Sequence, residues 1–156
     1  MKVFGTLAAG LSAACLIVAA DVALAQDAKA AAKARQGQFR IMALNLGVLG
    51  GMAKGEVEYN KELAQYVADN LVTVSMLHQQ VNWPAGSDNG AFDGTRAKPE
   101  IWSSMADFQS KWNDFGTAAK AMQTAAGESA QAIGGAIGAV GGTCKACHDA
   151  YRAPAN

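Results

Sequence analysis

Apolar residues recur along this chain at helical intervals. In the stretch opened by Pro99 and Glu100 and running to about Ala126, Ile101, Met105, Phe108, Trp112, Phe115, Ala119 and Met122 alternate in steps of four and three. A stretch from about Ser129 to Arg152 repeats the pattern with Ile133, Ile137, Val140, Cys144, Cys147 and Tyr151. Ala32, Arg35, Phe39, Met42, Leu46 and Leu49 do the same in a first stretch, from about Ala28 to Met52. A further helix is predicted from about Asn60 to Gln80. Such stripes place one face of each helix in a shared core. Nowhere is period-two alternation sustained, so no sheet is expected. Lys54-Gly55-Glu56 marks a turn, and Asn82 to Lys98, with Pro84, Gly86, Gly90 and Gly94, reads as a long loop. The expected fold is all-α, an antiparallel four-helix bundle.

The pattern is different in residues 1–25. Lys2 precedes an uncharged apolar run from Val3 to Ala20, and Ala23-Leu24-Ala25 is a small-x-small site before Gln26. This predicts a secretory signal peptide cleaved after Ala25, leaving a mature domain over residues 26–156. A transmembrane anchor is the alternative, but Asp21 follows the run and no basic stop-transfer cluster does. The expected location is the periplasm.

Charge narrows the function classes. Thirteen basic and thirteen acidic residues balance to zero, which removes the electrostatic case for nucleic acid and for a polybasic membrane surface. With 51% hydrophobic and 17% charged residues the chain is not of disordered composition. Two features sit badly in a plain core. Arg35 lies on the buried stripe one turn before Phe39, and a buried cation needs a partner. Gly134, Gly135, Gly138, Gly141 and Gly142 crowd the last helix, where each disfavours helix by about 1 kcal/mol relative to Ala. A bulky cofactor close to the backbone, or a frayed or kinked helix, would account for them.

The chemistry concentrates in Cys144-Lys145-Ala146-Cys147-His148. This spacing is that of c-type haem attachment, in which two thiols add to the vinyl groups and the adjacent His ligates iron. A disulfide across two residues would close too short a loop to add much stability. Zinc wants four ligands, and beyond the motif only His78 is at hand. A thioredoxin-like thiol pair wants a βαβ context that the pattern does not offer. Export fits as well, since bacteria attach c-type haem outside the cytoplasm. No Ser/His/Asp set suggests turnover of an organic substrate, so an enzyme is not expected.

With its haem motif on the last helix rather than near the N-terminus, the chain resembles cytochrome c′, the class II cytochromes c. Ala34-Arg35-Gln36, Lys54-Gly55, Lys98-Pro99-Glu100-Ile101-Trp102 and Gly141-Gly142-Thr143 through to Arg152 carry the likeness. The resemblance implies one haem c held by Cys144 and Cys147, with His148 as the axial metal ligand. It implies Arg35 and Gln36 at the propionates, Phe39 over the iron, Arg152 beside the proximal face, and Trp83, Ile101, Phe108 and Phe115 lining the pocket. Five-coordinate iron binding nitric oxide or carbon monoxide then follows. The alternative is a low-spin electron carrier with a redox partner protein and Met42 as sixth ligand; His78, at the end of the second helix, is a more remote one. Ile41, Leu44 and Val48 form a second apolar strip on the first helix, which suggests either a homodimer or deeper burial in one core.

Overall fold

A computed structural model of the chain describes the backbone of residues 12–155 and the side chains of residues 28–155. The leader expected over residues 1–25 therefore lies in part outside the described residues, and the side chains of its cleavage site lie wholly outside them.

Among the described residues five helices follow in order: α1 (Ser12–Lys54), α2 (Lys61–Ser75), α3 (Glu100–Ser103), α4 (Met105–Ala126) and α5 (Ala130–Tyr151), with a 3-10 turn at Gln80–Asn82. α1, α2, α4 and α5 form the bundle; α1 and α4 each pack against both α2 and α5. Neighbours run antiparallel, as cross-links of opposite register show. Asn70 Nδ2 donates to Asn45 Oδ1 and Gln38 Nε2 to Gln79 Oε1 between α1 and the α2 side. Gln123 Nε2 donates to Asp69 Oδ1 and Trp112 Nε1 to the Ser75 carbonyl between α4 and α2. The one β-type contact among the described residues is an isolated bridge between Ala97 and Arg152.

Local chemistry sets the helix ends. Asn60 Oδ1 accepts from the Leu63 amide at 2.8 Å and Ser129 Oγ from the Ala132 amide at 3.1 Å, each satisfying an orphan donor of a first turn. Gly55, at φ 75°, turns the chain out of α1 in the left-handed conformation that glycine adopts without strain. Boundaries differ from expectation in three places. α1 is already helical at Ser12, the first described residue, rather than starting near Ala28, because no breaker separates the Ala-rich segments on either side. α2 ends at Ser75 rather than near Gln80, which leaves His78 exposed in the connection beyond it. The third helix is broken at Ser104, whose φ of −132° and ψ of 40° divide α3 from α4, and Met105 on its stripe is consequently exposed.

The remaining stripe positions point inward. Leu49, Leu71, Met122, Ile133 and Val140 are sealed from solvent in the main core, with Trp112 and Phe115 beside them. Each such aliphatic side chain contributes about 1.5–3 kcal/mol of burial free energy. A second cluster of Trp83, Ala97, Ile101, Phe108 and Tyr151 lies where the long loop meets the end of α5. Phe39 packs against both clusters and so stands at their junction. The glycines of α5 correct an expectation. The helix is unbroken, and Gly135, Gly138, Gly141 and Gly142 have no neighbour within 4 Å of the place a Cβ would take. None of them lines the cavity that Cys144 and Cys147 face, so they account for no close approach there.

Candidate functional site

Between the two clusters opens a cavity of about 630 Å³, within the range of cofactor sites. α5 supplies one wall with Thr143, Cys144, Cys147, His148 and Tyr151. Opposite, α1 supplies Arg35, Gln36, Phe39, Met42 and Leu46, and α4 supplies Phe108, Trp112 and Phe115. The loop closes a third side with Trp83, Gly94, Thr95, Arg96 and Ala97. The i, i+3, i+4 placement of Cys144, Cys147 and His148 follows from the 3.6-residue helical turn, which sets all three on one side of α5.

The aromatic walls are fixed by edge-on contacts. Phe39 meets Trp112 at 6.4 Å between centroids, Trp83 meets Phe108 at 4.7 Å and Trp102 at 6.1 Å, and Phe108 meets Tyr151 at 5.6 Å. The Tyr151 hydroxyl donates to Asp107 Oδ2 at 2.6 Å; burial first, and then this bond, push its pKa up to about 12.

Both thiols are free and half-buried. Burial raises the Cys144 pKa and pushes Cys147 up to about 11, so neither is a ready thiolate for a metal. Among the described residues no three His, Cys, Asp or Glu side chains gather as a metal site, which leaves zinc without its ligand set. His148 titrates below the ordinary imidazole value, through burial first and then the nearby Arg152 and Arg96 cations. The neutral imidazole is the form that ligates iron.

Arg35, Arg40, Arg96, Lys111 and Arg152 line this cavity and no carboxylate does. Arg96, His148 and Arg152 also face an adjoining cleft of about 670 Å³. Apolar walls, two thiols with an imidazole on one side, and a cationic rim suit a flat macrocycle that carries two vinyl groups and two carboxylates. The residues fit haem c.

The structure brings Arg35, Gln36, Phe39, Cys144, Cys147, His148 and Arg152 together, with Trp83, Phe108 and Phe115 around them. Ile101 is not on the cavity wall; it lies behind it in the second cluster, 1% exposed, because the break at Ser104 turns α3 away. His78 lies outside the cavity too. Among the described residues Arg35 makes no ion pair; its guanidinium donates to loop oxygens, Ser87 Oγ at 2.7 Å, Thr95 Oγ1 at 3.0 Å and the carbonyls of Asn82 and Ser87, with the Asp88 carboxylate near enough to favour its charge. Gln36 Nε2 donates to the Gly94 carbonyl at 2.6 Å. Thr95, Arg96 and Lys111 carried no signal in the sequence, whereas Leu46, Trp112 and Tyr151 were marked by their stripes.

The family model described as Cytochrome C' matches residues 30–152. A cytochrome c′ of Cereibacter sphaeroides is 38% identical over 130 residues, covering 83% of this chain and 87% of the relative. A cytochrome c-554 of the same organism is 38% identical over 133 residues, with the same two coverages. Among solved structures, a cytochrome c′ from Rhodobacter Spheriodes is similar at TM-score 0.79 and 38% identity, over 83% of this chain and 99% of that one. A nitric oxide complex of a mutant cytochrome c prime from Alcaligenes xylosoxidans is similar at TM-score 0.72 and 32% identity, over 83% and 98%. A cytochrome c′ with ligand-controlled dimer dissociation is similar at TM-score 0.74 and 29% identity, over 81% and 97%.

Proposed function

The chain belongs to the cytochrome c′ family, and on that premise we propose that it is an exported monohaem cytochrome whose iron has one protein ligand and binds small neutral gases. Haem c is the family's cofactor, and Cys144 and Cys147 are its attachment points here. When bound, the haem would supply an iron that exchanges one electron and takes a diatomic ligand. Cys144 and Cys147 would hold the haem on α5 through their thiols, and His148 would offer a neutral imidazole to its iron. Arg35 and Gln36 would meet the propionates, with Arg40 and Arg96 beside them on the rim and Arg152 on the His148 side.

Phe39 carries this reading. It lines the cavity one turn from Arg35, held against Trp112. A phenyl ring has no lone pair for iron, so Phe39 would shield the iron from the α1 side of the cavity without ligating it. Its bulk restricts that face to small ligands, and the apolar walls exclude water. Nitric oxide and carbon monoxide are the ligands of this class, and the nitric oxide complex of the Alcaligenes relative supports the assignment.

Met42 favours a second reading, since its thioether lines the same cavity. Bound to iron it would make a low-spin electron carrier that serves a redox partner protein. The dithionite-reduced protein, taken before and after carbon monoxide, separates the two. A broad high-spin spectrum that shifts with the gas is expected. Sharp bands indifferent to the gas would place Met42 on the iron instead.

Residues 1–25 serve as the export leader, cleaved after Ala25, and residues 26–156 work in the periplasm as a binding and electron-transfer protein rather than an enzyme. No described helix is long and apolar enough to cross a membrane. Ile41 is 50% and Leu44 70% exposed, whereas Val48 packs partly against the main core, so the Ile41–Leu44 part of the second strip is not absorbed into the single-chain core. We assign it to a homodimer contact, which the dimeric relative supports.

A further inference from the structure

Phe39 has no polar handle. Its ring is half-buried at the junction of the two clusters, so packing alone sets where it stands. A phenylalanine inside a helix has two χ1 wells open to it, and its neighbours choose between them. Trp112 meets the Phe39 ring edge-on, at 6.4 Å between centroids and 71° between planes.

Trp112 is itself anchored. Ser75 is the last residue of α2, and its carbonyl is one of the acceptors that a helix C-terminus leaves without an intrahelical partner. Trp112 Nε1 donates to that carbonyl at 2.9 Å. One turn further along α4, Gly116 lies so near Ser75 that a Cβ there would stand 3.4 Å from its Oγ, so the two helices meet closely at this level. Phe115 adds a tilted aromatic contact at 5.5 Å. The indole is 6% exposed and lines the haem cavity. Its place is thus set by the packing of α4 on α2, whereas Phe39 is carried by α1. Contacts run without a gap from the end of α2, through the indole, to the Phe39 ring.

We propose that Trp112 is a positioning residue: anchored on the Ser75 carbonyl, its indole holds the Phe39 ring in the cavity and so sets how readily a small gas passes it. The inference rests on the reading in which Phe39 shields open iron, and adds what keeps the ring there. Truncating Trp112 would leave a space beside Phe39 into which the ring can turn.

The haem-loaded protein, Phe39→Leu, Trp112→Leu and the double variant would be compared by flash photolysis of carbon monoxide and by crystallography. Association should quicken about two- to tenfold in Trp112→Leu, the range into which loss of one aromatic pair converts, and at least as much in Phe39→Leu. The double variant should be no faster than Phe39→Leu, because Trp112 acts through a ring that is then gone. A general loosening of the cavity would instead add its effect to that of Phe39→Leu, so an additive double variant overturns the proposal. A Trp112→Leu protein at the wild-type rate, beside a fast Phe39→Leu, overturns it too and leaves the reading of Phe39 standing. A Phe39→Leu protein at the wild-type rate removes that reading, and the inference with it. The crystal structures supply a readout independent of the gas. In Trp112→Leu the Phe39 ring should move toward the vacated indole site, and a ring unmoved from its wild-type place overturns the proposal. Trp112→Phe keeps an aromatic edge and drops the tie to Ser75, and it carries both comparisons if Trp112→Leu does not fold.

Discussion

At the scale of single residues, the proximal end of the cavity depends on one pair. Tyr151 is buried, stacked edge-on with Phe108, and donates to Asp107 Oδ2 at 2.6 Å. The bond acts on both groups: it is the chief cause holding Asp107 below the ordinary carboxylate range, and with burial it holds Tyr151 near 12. The two shifts have opposite signs in pH. A depressed carboxylate adds stability above its unfolded value, lost as pH falls through its folded one. A raised phenol adds stability below its unfolded value near 10, lost as pH climbs toward about 12. Tyr151→Phe keeps the ring and removes the bond, so it should cost about 1 kcal/mol at neutral pH. Its urea-unfolding stability should also vary less with pH below 4 and above 10 than the wild type's. A variant that lost stability but kept both pH limbs would show that other groups set them. The sequence placed Tyr151 on the inward stripe, but Asp107, exposed in the first turn of α4, gave no hint of being its acceptor. That pairing depends on how α4 and α5 align, which periodicity does not specify.

At the scale of helices, faces were more legible than ends. The alternating steps of four and three identified which side of each helix is buried, because burial of an apolar stripe is the main free-energy term that a helix brings to the core. Ends are decided by smaller terms. The chain breaks at Ser104 and stops α2 at Ser75 where the long loop must pack, and no glycine or proline marks either site. The glycines of α5 misled in the other direction, since composition suggested a cofactor and the structure turns them to open space. They leave α5 with an avoidable entropy cost. Gly138→Ala meets no atom within 4 Å and lies in a helix interior, so it should stabilise the protein by about 0.5–1 kcal/mol. Thermal unfolding of the haem-loaded protein would measure this as a rise in Tm. A fall would mean that this face of α5 is covered by something other than water.

At the scale of the whole molecule, covalent attachment and the cavity that receives it have different origins. The attachment motif is local, five consecutive residues on one helix, and could be read without knowing any fold. The cavity is assembled from α1, α4, α5 and a loop, and its cationic rim joins Arg40 to Arg96 and Lys111 across the chain. No spacing rule connects such residues. The same holds for the outer surface, where the α1 strip was visible as a pattern but its fate was not. The fold buries Arg35, Met42 and Leu49 on one face of α1 and leaves Leu44 70% exposed on another. An exposed leucine adds nothing to the monomer, so its value to the molecule must lie in what covers it. If the second subunit does, Leu44→Glu places two like charges at a symmetric contact and opposes association without disturbing the bundle. Light scattering at micromolar concentration should then give the monomer mass for the variant and twice that for the wild type. Tm of the variant monomer and its Soret spectrum should show the haem site intact. A wild-type protein already monomeric at that concentration would remove the dimer, and a variant still dimeric would move the contact off this strip. In either case the haem cavity would stand, because Ile41 and Leu44 are not among the residues that line it.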